Sequence, residues 1–267
     1  MLLKITESCR MECTHCMDDA KPNGKDMSME TFRNAIDFFN KYGGFELIIS
    51  GAEPTEHPNF WKMLKYAAEN AKGSVDLNGI RMHHITVATN AMNLVGNEHA
   101  YEMIKYYNNK YGNGITFQVT HVDKYYKHEI DLKDKIFLLD NVLLCKEIEH
   151  IVPKGRALIN NIPYDVDKVK SSKCFNIRSI SRTVKHLSDV STILSSKLKF
   201  CTPQIDIYGN IKLGESALCP VCSSIYKKPE EIIEDIRNFK CKGCSIINSK
   251  LPERYLNAIG ETKGDYL

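Results

Sequence analysis

Hydrophobic and polar positions follow two patterns between residue 1 and about residue 160, one typical of strands and one typical of helices. Short apolar runs, typical of buried strands, lie at residues 2–5, 45–49, 85–88, 115–119 and 142–147. Between them, apolar residues at helical spacing predict helices that begin after Ser28, after Pro58, at about residue 98 and near residues 132–139. This alternation of strand and helix predicts parallel β/α units.

The first predicted helix has both a start signal and an apolar stripe. Ser28 is its expected N-cap, because a serine hydroxyl can accept a hydrogen bond from a backbone N–H in the first turn. The stripe consists of Phe32, Ala35, Ile36 and Phe39. With the other units it predicts an α/β fold, a partial (β/α)6 TIM-like barrel, in which chemistry collects after the carboxyl ends of the strands.

The pattern changes near residue 165, which suggests a division of the chain. We assign residues 1–165 to the barrel core, 166–189 to a basic connector, 190–250 to a small C-terminal cysteine-rich module and 251–267 to a tail. Within the module, alternating residues around Tyr208-Gly209-Asn210 predict a β-hairpin. Pro229, followed by two glutamates, predicts the start of a short helix.

Composition excludes several classes of protein. Of 267 residues, 43% are hydrophobic, which is enough for a sizeable core, and the formal charge is only +3. That balance argues against a protein that coats nucleic acid or an anionic membrane. No apolar run reaches the roughly 18 residues of a membrane span. The N-terminus lacks the pattern of a secretory signal, so we expect a cytoplasmic protein.

The ten cysteines are unusual for such a chain. Thiols stay reduced in the cytoplasm, so clustered cysteines there favour metal binding over disulfides. Cys9, Cys13 and Cys16 form a CxxxCxxC motif after the first predicted strand. Three thiolates would leave one iron of a four-iron cluster open to a substrate or cofactor. A zinc knuckle and reactive thiols are the alternatives.

Two further motifs follow the next predicted strands. Residues 50–55 read Ser50-Gly51-Ala52-Glu53-Pro54-Thr55, and Thr89-Asn90 follows the third strand. In order and placement, the three motifs resemble those of the radical S-adenosylmethionine (radical SAM) superfamily over about residues 1–160. The resemblance implies that Cys9, Cys13 and Cys16 hold a [4Fe-4S] cluster that binds S-adenosylmethionine and carries the catalysis.

The same resemblance suggests which other residues bind the cofactor. Ser50, Gly51, Ala52, Glu53 and Pro54 match the loop that receives the methionine ammonium, although Ala52 replaces a common glycine. His15 stands where an aromatic residue usually lies near adenine. Thr89 and Asn90 match a polar site at a strand end, with ordinary turn chemistry as the alternative. Arg156, in a Gly-Arg-Ala segment, either pairs with the methionine carboxylate or a substrate anion, or is a surface arginine beside a turn.

The later cysteines suggest a second metal site. Cys201, Cys219, Cys241 and Cys244 resemble the ligands of an auxiliary [4Fe-4S] cluster in the twitch form of the SPASM extension. The spacing of Cys219, Cys222, Cys241 and Cys244 also fits a zinc ribbon, so zinc is the alternative. Cys222 is additional to the twitch pattern, and it either replaces Cys219 as a ligand or lies nearby without binding the cluster.

The resemblance implies an oxidoreductase that reductively cleaves S-adenosylmethionine to a 5′-deoxyadenosyl radical, which abstracts a hydrogen atom from the substrate. A reductant such as flavodoxin or ferredoxin would supply the electron. We expect modification of a peptide or protein, of the ribosomal peptide maturation type, with dehydrogenation of a small-molecule alcohol as the alternative. A third hypothesis is a non-catalytic zinc-ribbon protein that binds nucleic acid; no membrane partner is expected.

Overall fold

A computed structural model describes residues 1–42, 46–72, 84–121, 124–146, 151, 155–164, 203–213 and 221–238. The helices are α1 (Met29–Tyr42), α2 (Phe60–Asn70), α3 (Glu98–Tyr111), the single turn α4 (Arg156–Ile159) and α5 (Pro229–Asn238). The strands are β1 (Leu2–Lys4), β2 (Leu47–Ser50), β3 (Ile85–Thr89), β4 (Ile115–Thr120), β5 (Val142–Cys145), β6 (Pro203–Ile205), β7 (Asn210–Leu213) and β8 (Val221–Ser224).

The start of α1 follows the sequence prediction. The Ser28 hydroxyl accepts a hydrogen bond from the Thr31 backbone N–H at 3.0 Å, which satisfies one donor of the first turn. The whole predicted stripe of α1 is buried. Both the cap and the stripe are confirmed.

The eight strands of the described residues form one sheet in the order β5-β4-β3-β2-β1-β6-β7-β8. Neighbouring strands from β5 to β6 are parallel, and β7 and β8 are antiparallel additions. The sheet is open rather than closed, because its order ends at β5 on one side and at β8 on the other. A mixed α/β fold of the partial-barrel type is thus confirmed.

The two faces of the sheet differ in chemistry. Leu3, Val87 and Phe117 lie on one face, are fully buried and belong to the same apolar core as α1, α2 and α3. On the other face, Lys4 is half-buried and Gln118 is exposed. Since side chains alternate along a strand, the helices cover the apolar face and leave a polar face partly open. The motif-bearing loops follow strands β1, β2 and β3 at one edge of this sheet.

One predicted helix is wrong. Residues 132–139 form only a 3₁₀ turn, Lys135–Leu138. The carboxylates of Asp131 and Asp134 accept hydrogen bonds from the backbone N–H groups of Lys133 and Ile136, both at 2.9 Å. These local side-chain bonds compete with helical ones, so the segment turns instead of continuing as a helix.

The predicted hairpin is present, and it extends the main sheet. β6 pairs with β7 in the antiparallel direction across a turn in which Gly209 has a φ of +79°. β6 also pairs with β1 in parallel, so the described strands of the predicted module share a sheet with the predicted core. The connector at 166–189 and the tail at 251–267 lie outside the described residues. The domain boundaries therefore stay predictions.

Candidate active site at the carboxyl ends of β1, β2 and β3

The three N-terminal cysteines lie together in the cysteine loop, which comprises residues 9–16. Cys9 is buried and packs with Cys13, Cys16 and Ala52, and all three thiols are free. Burial is the main cause that raises the pKa of Cys9 to about 11, together with the negative charges of Glu53, Glu56 and Cys16. Burial also raises the pKa of Cys13 to about 12, together with Cys9 and Cys16. Three adjacent thiolates thus require a compensating positive charge, which a bound metal centre supplies.

Two of the sulfur atoms receive hydrogen bonds from nearby N–H groups. The Asn90 side-chain amide Nδ2 donates to Cys9 Sγ at 3.6 Å. The Ala20 backbone N–H donates to Cys16 Sγ at 3.5 Å. Donors directed at sulfur stabilise the thiolate form and tune a metal centre bound through it.

The glutamate loop, residues 50–55, lies beside the cysteine loop. Glu53 is only 1% exposed, and its Oε1 accepts hydrogen bonds from the Thr55 backbone N–H, the Thr55 hydroxyl and the Thr89 hydroxyl, the last at 2.6 Å. Its Oε2 accepts from the Asn90 backbone N–H at 2.7 Å. Burial raises the pKa of Glu53, and these donors act in the opposite direction. The carboxylate therefore joins the second motif to the third.

The backbone completes this connection. The N–H groups of Ala52 and Glu53 donate to the carbonyl oxygens of Thr6 and Ser8, both at 2.9 Å, just before the cysteine loop. Gly51, at a φ of +156°, leaves no space for a side chain, because a Cβ there would lie 2.6 Å from the Thr6 carbonyl oxygen. All three predicted motifs thus meet in one place.

Thr89 and Asn90 also make the turn after β3. The Thr89 hydroxyl accepts a hydrogen bond from the Ala91 N–H, and Asn90 Oδ1 accepts one from the Met92 N–H, both at 2.9 Å. Ala91 has a φ of +61°, a conformation that favours glycine. The two sequence hypotheses for this pair are compatible, since the same side chains shape the turn and contact Glu53 and Cys9.

Arg156 lies against the cysteine loop. Its Nε donates to the Cys13 carbonyl at 2.9 Å, and its Nη1 donates to the Ala20 carbonyl at 2.7 Å and to Asp19 Oδ1 at 3.1 Å. Its backbone N–H donates to the Cys16 carbonyl at 2.8 Å. Its Nη2 is buried without a hydrogen-bond partner among the described residues. Arg156 is not a surface arginine, because its guanidinium is largely buried, and two of its three nitrogens already bind protein atoms rather than being free for a carboxylate.

His15 packs among aromatic residues that follow β4. Its ring centroid lies 4.8 Å from that of Tyr125 and 6.1 Å from that of Tyr126, and the second pair is nearly parallel, at 7°. The Tyr126 hydroxyl donates to the Thr120 carbonyl. Burial, aided by the Arg156 cation, lowers the pKa of His15, which favours a neutral imidazole. The rings form one wall of the cysteine loop.

Gly155 lets the backbone before Arg156 approach the end of the cysteine loop closely, because it has no side chain. Gly155 and Gly112 have nearly the same backbone angles, φ +56° and ψ −136° against φ +54° and ψ −132°. A Cβ on Gly155 would lie 2.8 Å from the Cys16 carbonyl oxygen, whereas one on Gly112 would meet nothing within 4 Å. We expect Gly155→Ala to lower the free energy of unfolding by about 1–3 kcal/mol more than Gly112→Ala does.

Chemical denaturation of the two variants checks this expectation, because both share the backbone strain of a non-glycine residue at positive φ. Gly112→Ala is thus the matched control for that strain. Equal losses of stability in the two variants would show that the Gly155 backbone does not approach the cysteine loop as closely as described.

The second cysteine group is largely beyond the described residues. Cys201, Cys219, Cys241 and Cys244 lie outside them, so the auxiliary site stays a prediction. Cys222 lies on β8 at a bulge, because Ile211 pairs with Ser223 while Lys212 pairs with Val221. Its thiol donates to the Ile211 carbonyl at 3.3 Å.

Within the described ranges, no three side chains of histidine, cysteine, aspartate or glutamate lie close enough to hold one metal ion. A four-iron cluster does not require that arrangement, since each thiolate binds a different iron atom. Among the helices of the described part, none combines the length and apolar character needed to cross a membrane.

A model of the radical SAM superfamily matches residues 3–148. This chain belongs to the radical SAM superfamily. Membership implies a [4Fe-4S] cluster and S-adenosylmethionine as cofactors. The matched range contains the cysteine loop, the glutamate loop and the turn after β3.

Several relatives cover different parts of this radical SAM chain. The mycofactocin maturase MftC of Mycobacterium ulcerans is 29% identical over 82 residues, which are 30% of this chain and 22% of the maturase. The MftC of Mycobacterium tuberculosis is 30% identical over 81 residues, or 21% of its length. An uncharacterized protein of Methanocaldococcus jannaschii is 27% identical over 188 residues, which are 68% of this chain and 60% of that protein. The matches thus span less than two thirds of each relative.

Solved structures share the fold. BtrN in complex with AdoMet and 2-DOIA superposes with a TM-score of 0.53 at 13% identity, over 97% of this chain and 86% of BtrN. Streptococcus suis SuiB bound to the precursor peptide SuiA superposes with a TM-score of 0.50 at 12% identity, over 90% of this chain and 67% of SuiB. At such identities the likeness is one of fold alone.

Sequence reasoning missed several residues of this radical SAM site. Asp19 and Ala20 hold Arg156, and Tyr126 packs against the cysteine loop. The adjacent tyrosines after the end of β4 were a usable signal, because the other motifs also follow strand ends. No local signal marks Asp19. Gln118 lies on the open face of the sheet and donates to Cys145 Sγ at 3.5 Å.

Proposed function

We propose that Cys9, Cys13 and Cys16 hold the [4Fe-4S] cluster and that residues 50–54, Thr89 and Asn90 bind S-adenosylmethionine, in an oxidoreductase. The observation that carries this proposal is the convergence of the three motifs on Glu53 and Asn90. The Glu53 carboxylate contacts Thr89 and Asn90, and the Asn90 amide reaches Cys9. The buried Nη2 of Arg156 is the atom left for a carboxylate oxygen of the cofactor.

The donor set fits the cluster. When bound and reduced, the cluster supplies the electron that cleaves S-adenosylmethionine. The chain itself supplies three thiol ligands, N–H donors that stabilise two of the sulfurs, and a largely buried setting that limits access of water. His15, Tyr125 and Tyr126 form the aromatic side of that setting, and His15 is proposed to lie near adenine.

A peptide or protein is the proposed substrate. A cleft of about 490 Å³ lies between residues 17–24 and the β6–β7 hairpin, and Lys4, Gln204 and Lys212 line it from the sheet. Ala52 of the glutamate loop also lines the cleft, so a substrate in the cleft would lie beside the loop that is proposed to bind the cofactor. Polar groups able to pair with amides and carboxylates suit a peptide. The maturase names of the matched relatives support this choice.

The second cysteine group is proposed to hold an auxiliary [4Fe-4S] cluster on Cys201, Cys219, Cys241 and Cys244, with zinc as the alternative. Iron, sulfide and zinc are to be measured per chain after anaerobic reconstitution. About eight irons and no zinc would support two clusters, and about four irons with one zinc would favour a structural zinc site.

Formation of 5′-deoxyadenosine from S-adenosylmethionine, with dithionite or reduced flavodoxin as electron donor, tests the catalytic proposal. A pool of synthetic peptides deuterated on carbon tests the substrate class. Deuterium in the 5′-deoxyadenosine would indicate hydrogen abstraction from a peptide. Deuterium transfer only from a deuterated mixture of polyols would favour the small-molecule dehydrogenase. Absence of cleavage in the reduced, iron-loaded protein would favour a non-catalytic zinc-ribbon protein.

A further inference from the structure

The cysteine loop has little regular structure of its own. No helix or strand lies in the described residues between β1 and α1, and within the loop Glu12 has a positive φ of 50°. The positions of the three sulfur atoms therefore depend on contacts from elsewhere in the chain. One such contact is the Thr14 N–H, which donates to the Tyr125 carbonyl at 2.9 Å.

Arg156 contacts the cysteine loop at both ends of its CxxC segment, at Cys13 and at Cys16. The guanidinium reaches the Cys13 carbonyl, 143 positions away in sequence, and the Arg156 backbone N–H reaches the Cys16 carbonyl. Nη1 binds the Ala20 carbonyl, and the N–H of Ala20 in turn donates to Cys16 Sγ. The side chain thereby fixes the backbone at Cys13 and at Ala20, whose N–H contacts the Cys16 sulfur, and the Arg156 backbone fixes the Cys16 carbonyl.

The charge of Arg156 acts on the same atoms. Its side chain is only 16% exposed, so water screens it incompletely. Its Nε lies 2.9 Å from the carbonyl oxygen of Cys13, so the charge is held next to this residue of the cysteine loop. Asp19, which pairs with Nη1, is 34% exposed and offsets the charge only in part. A cation beside a thiolate also stabilises the reduced, more negative state of a metal centre bound to it.

We infer that Arg156 is a positioning residue, which orders the cysteine loop through the Cys13 carbonyl and raises the reduction potential of the metal centre through its charge. This inference rests on the proposed function for its second half. The first half concerns the loop alone and can be tested without metal.

The test compares the wild-type protein with Arg156→Gln, Arg156→Lys and the control Arg33→Gln. Arg33 is an arginine of α1 whose guanidinium lies over the Tyr66 ring, 5.7 Å from its centroid. In the metal-free proteins, we measure the alkylation rate of each cysteine by mass spectrometry. Cys13 and Cys16 should react several-fold faster in Arg156→Gln than in wild type or Arg33→Gln, while Cys145 should react at an unchanged rate.

In the reconstituted proteins, we titrate the cluster potential without S-adenosylmethionine, using electron paramagnetic resonance. Arg156→Gln should lower the equilibrium constant for reduction of the cluster about tenfold. For a one-electron couple, this is a shift of the reduction potential by 59 mV to a more negative value. Arg156→Lys keeps the charge but not the planar fork, so its potential should stay near wild type while its loop cysteines still react faster.

Unchanged alkylation rates in Arg156→Gln would overturn the inference. The inference would also be overturned if Arg156→Gln bound S-adenosylmethionine more weakly while its cluster potential and its alkylation rates stayed unchanged. Arg156 would then be only a ligand of the cofactor carboxylate. If the wild-type protein loads no iron, the proposed function fails, and faster alkylation in Arg156→Gln would still support the ordering of the loop. The two failures are therefore distinguishable.

Discussion

The Cys13→Ala protein is expected to form no 5′-deoxyadenosine above the background of a mixture without protein. Removing one of three thiols leaves too few ligands for the cluster, so the loss should be complete rather than partial. The fold should survive, because Cys13 packs in the small cluster around Cys9 and Met11, separate from the main core. We expect the free energy of unfolding of the metal-free protein to change by less than about 1 kcal/mol.

Cys145→Ala is the matched control for this substitution. Cys145 is also a free, partly buried cysteine, but it lies on β5 and its sulfur accepts from Gln118. It should keep its iron and cleave S-adenosylmethionine at the wild-type rate. The measurements are iron per chain and 5′-deoxyadenosine by liquid chromatography. Cleavage retained in Cys13→Ala would contradict the assignment of the three cysteine ligands.

The Glu53→Gln protein should lose both activity and stability. Oε1 accepts three hydrogen bonds, so the amide NH₂ of a glutamine would take the position of Oε2. There it would face the Asn90 N–H, which now donates to Oε2, and two donors would oppose each other. An unpaired buried donor costs about 1–3 kcal/mol. Because Asn90 also contacts Cys9, we expect cleavage to fall about 10–100-fold, as for other groups that support metal ligands.

Glu46→Gln is the control for this second variant. The Glu46 Oε1 accepts from the Thr86 hydroxyl at 2.7 Å, just as Glu53 accepts from Thr89, but it lies at the opposite end of β2 and β3 and its side chain is 41% exposed. It should change the unfolding free energy and the cleavage rate little. Equal effects in both variants, measured by denaturation and by 5′-deoxyadenosine formation, would argue that Glu53 has no special link to the cysteine loop.

Local sequence patterns predicted most of the elements. Strands β2 to β5 and helices α1 to α3 were expected near their observed bounds, since each has an apolar period of its own. The exception at 132–139 also has a local cause, because Asp131 and Asp134 direct their carboxylates to the backbone. Here short-range hydrogen bonds outweighed an apolar spacing that resembled a helix.

The candidate site was predicted in part. The cysteine loop, Glu53 and Asn90 were identified, and the structure brings them together. The direction of Arg156 was not foreseen. Its expected partner was the methionine carboxylate or a substrate anion, but its Nε binds the Cys13 carbonyl, and its Nη1 binds the Ala20 carbonyl and the Asp19 carboxylate. Nothing near residue 156 in sequence indicates that a carbonyl 143 positions earlier will be its acceptor.

The sequence alone determined the resemblance to radical SAM enzymes, which the family match over residues 3–148 confirms, and the parallel β/α units, because sequence motifs and apolar periodicity are local properties. Tertiary structure alone decided which distant segments meet: β6 beside β1, Glu53 on Thr89 and Asn90, and Arg156 on Cys13. Those contacts join residues separated by long stretches of chain. They depend on how the whole sheet packs and on which donors and acceptors must be satisfied once buried, and no local window of sequence contains that information.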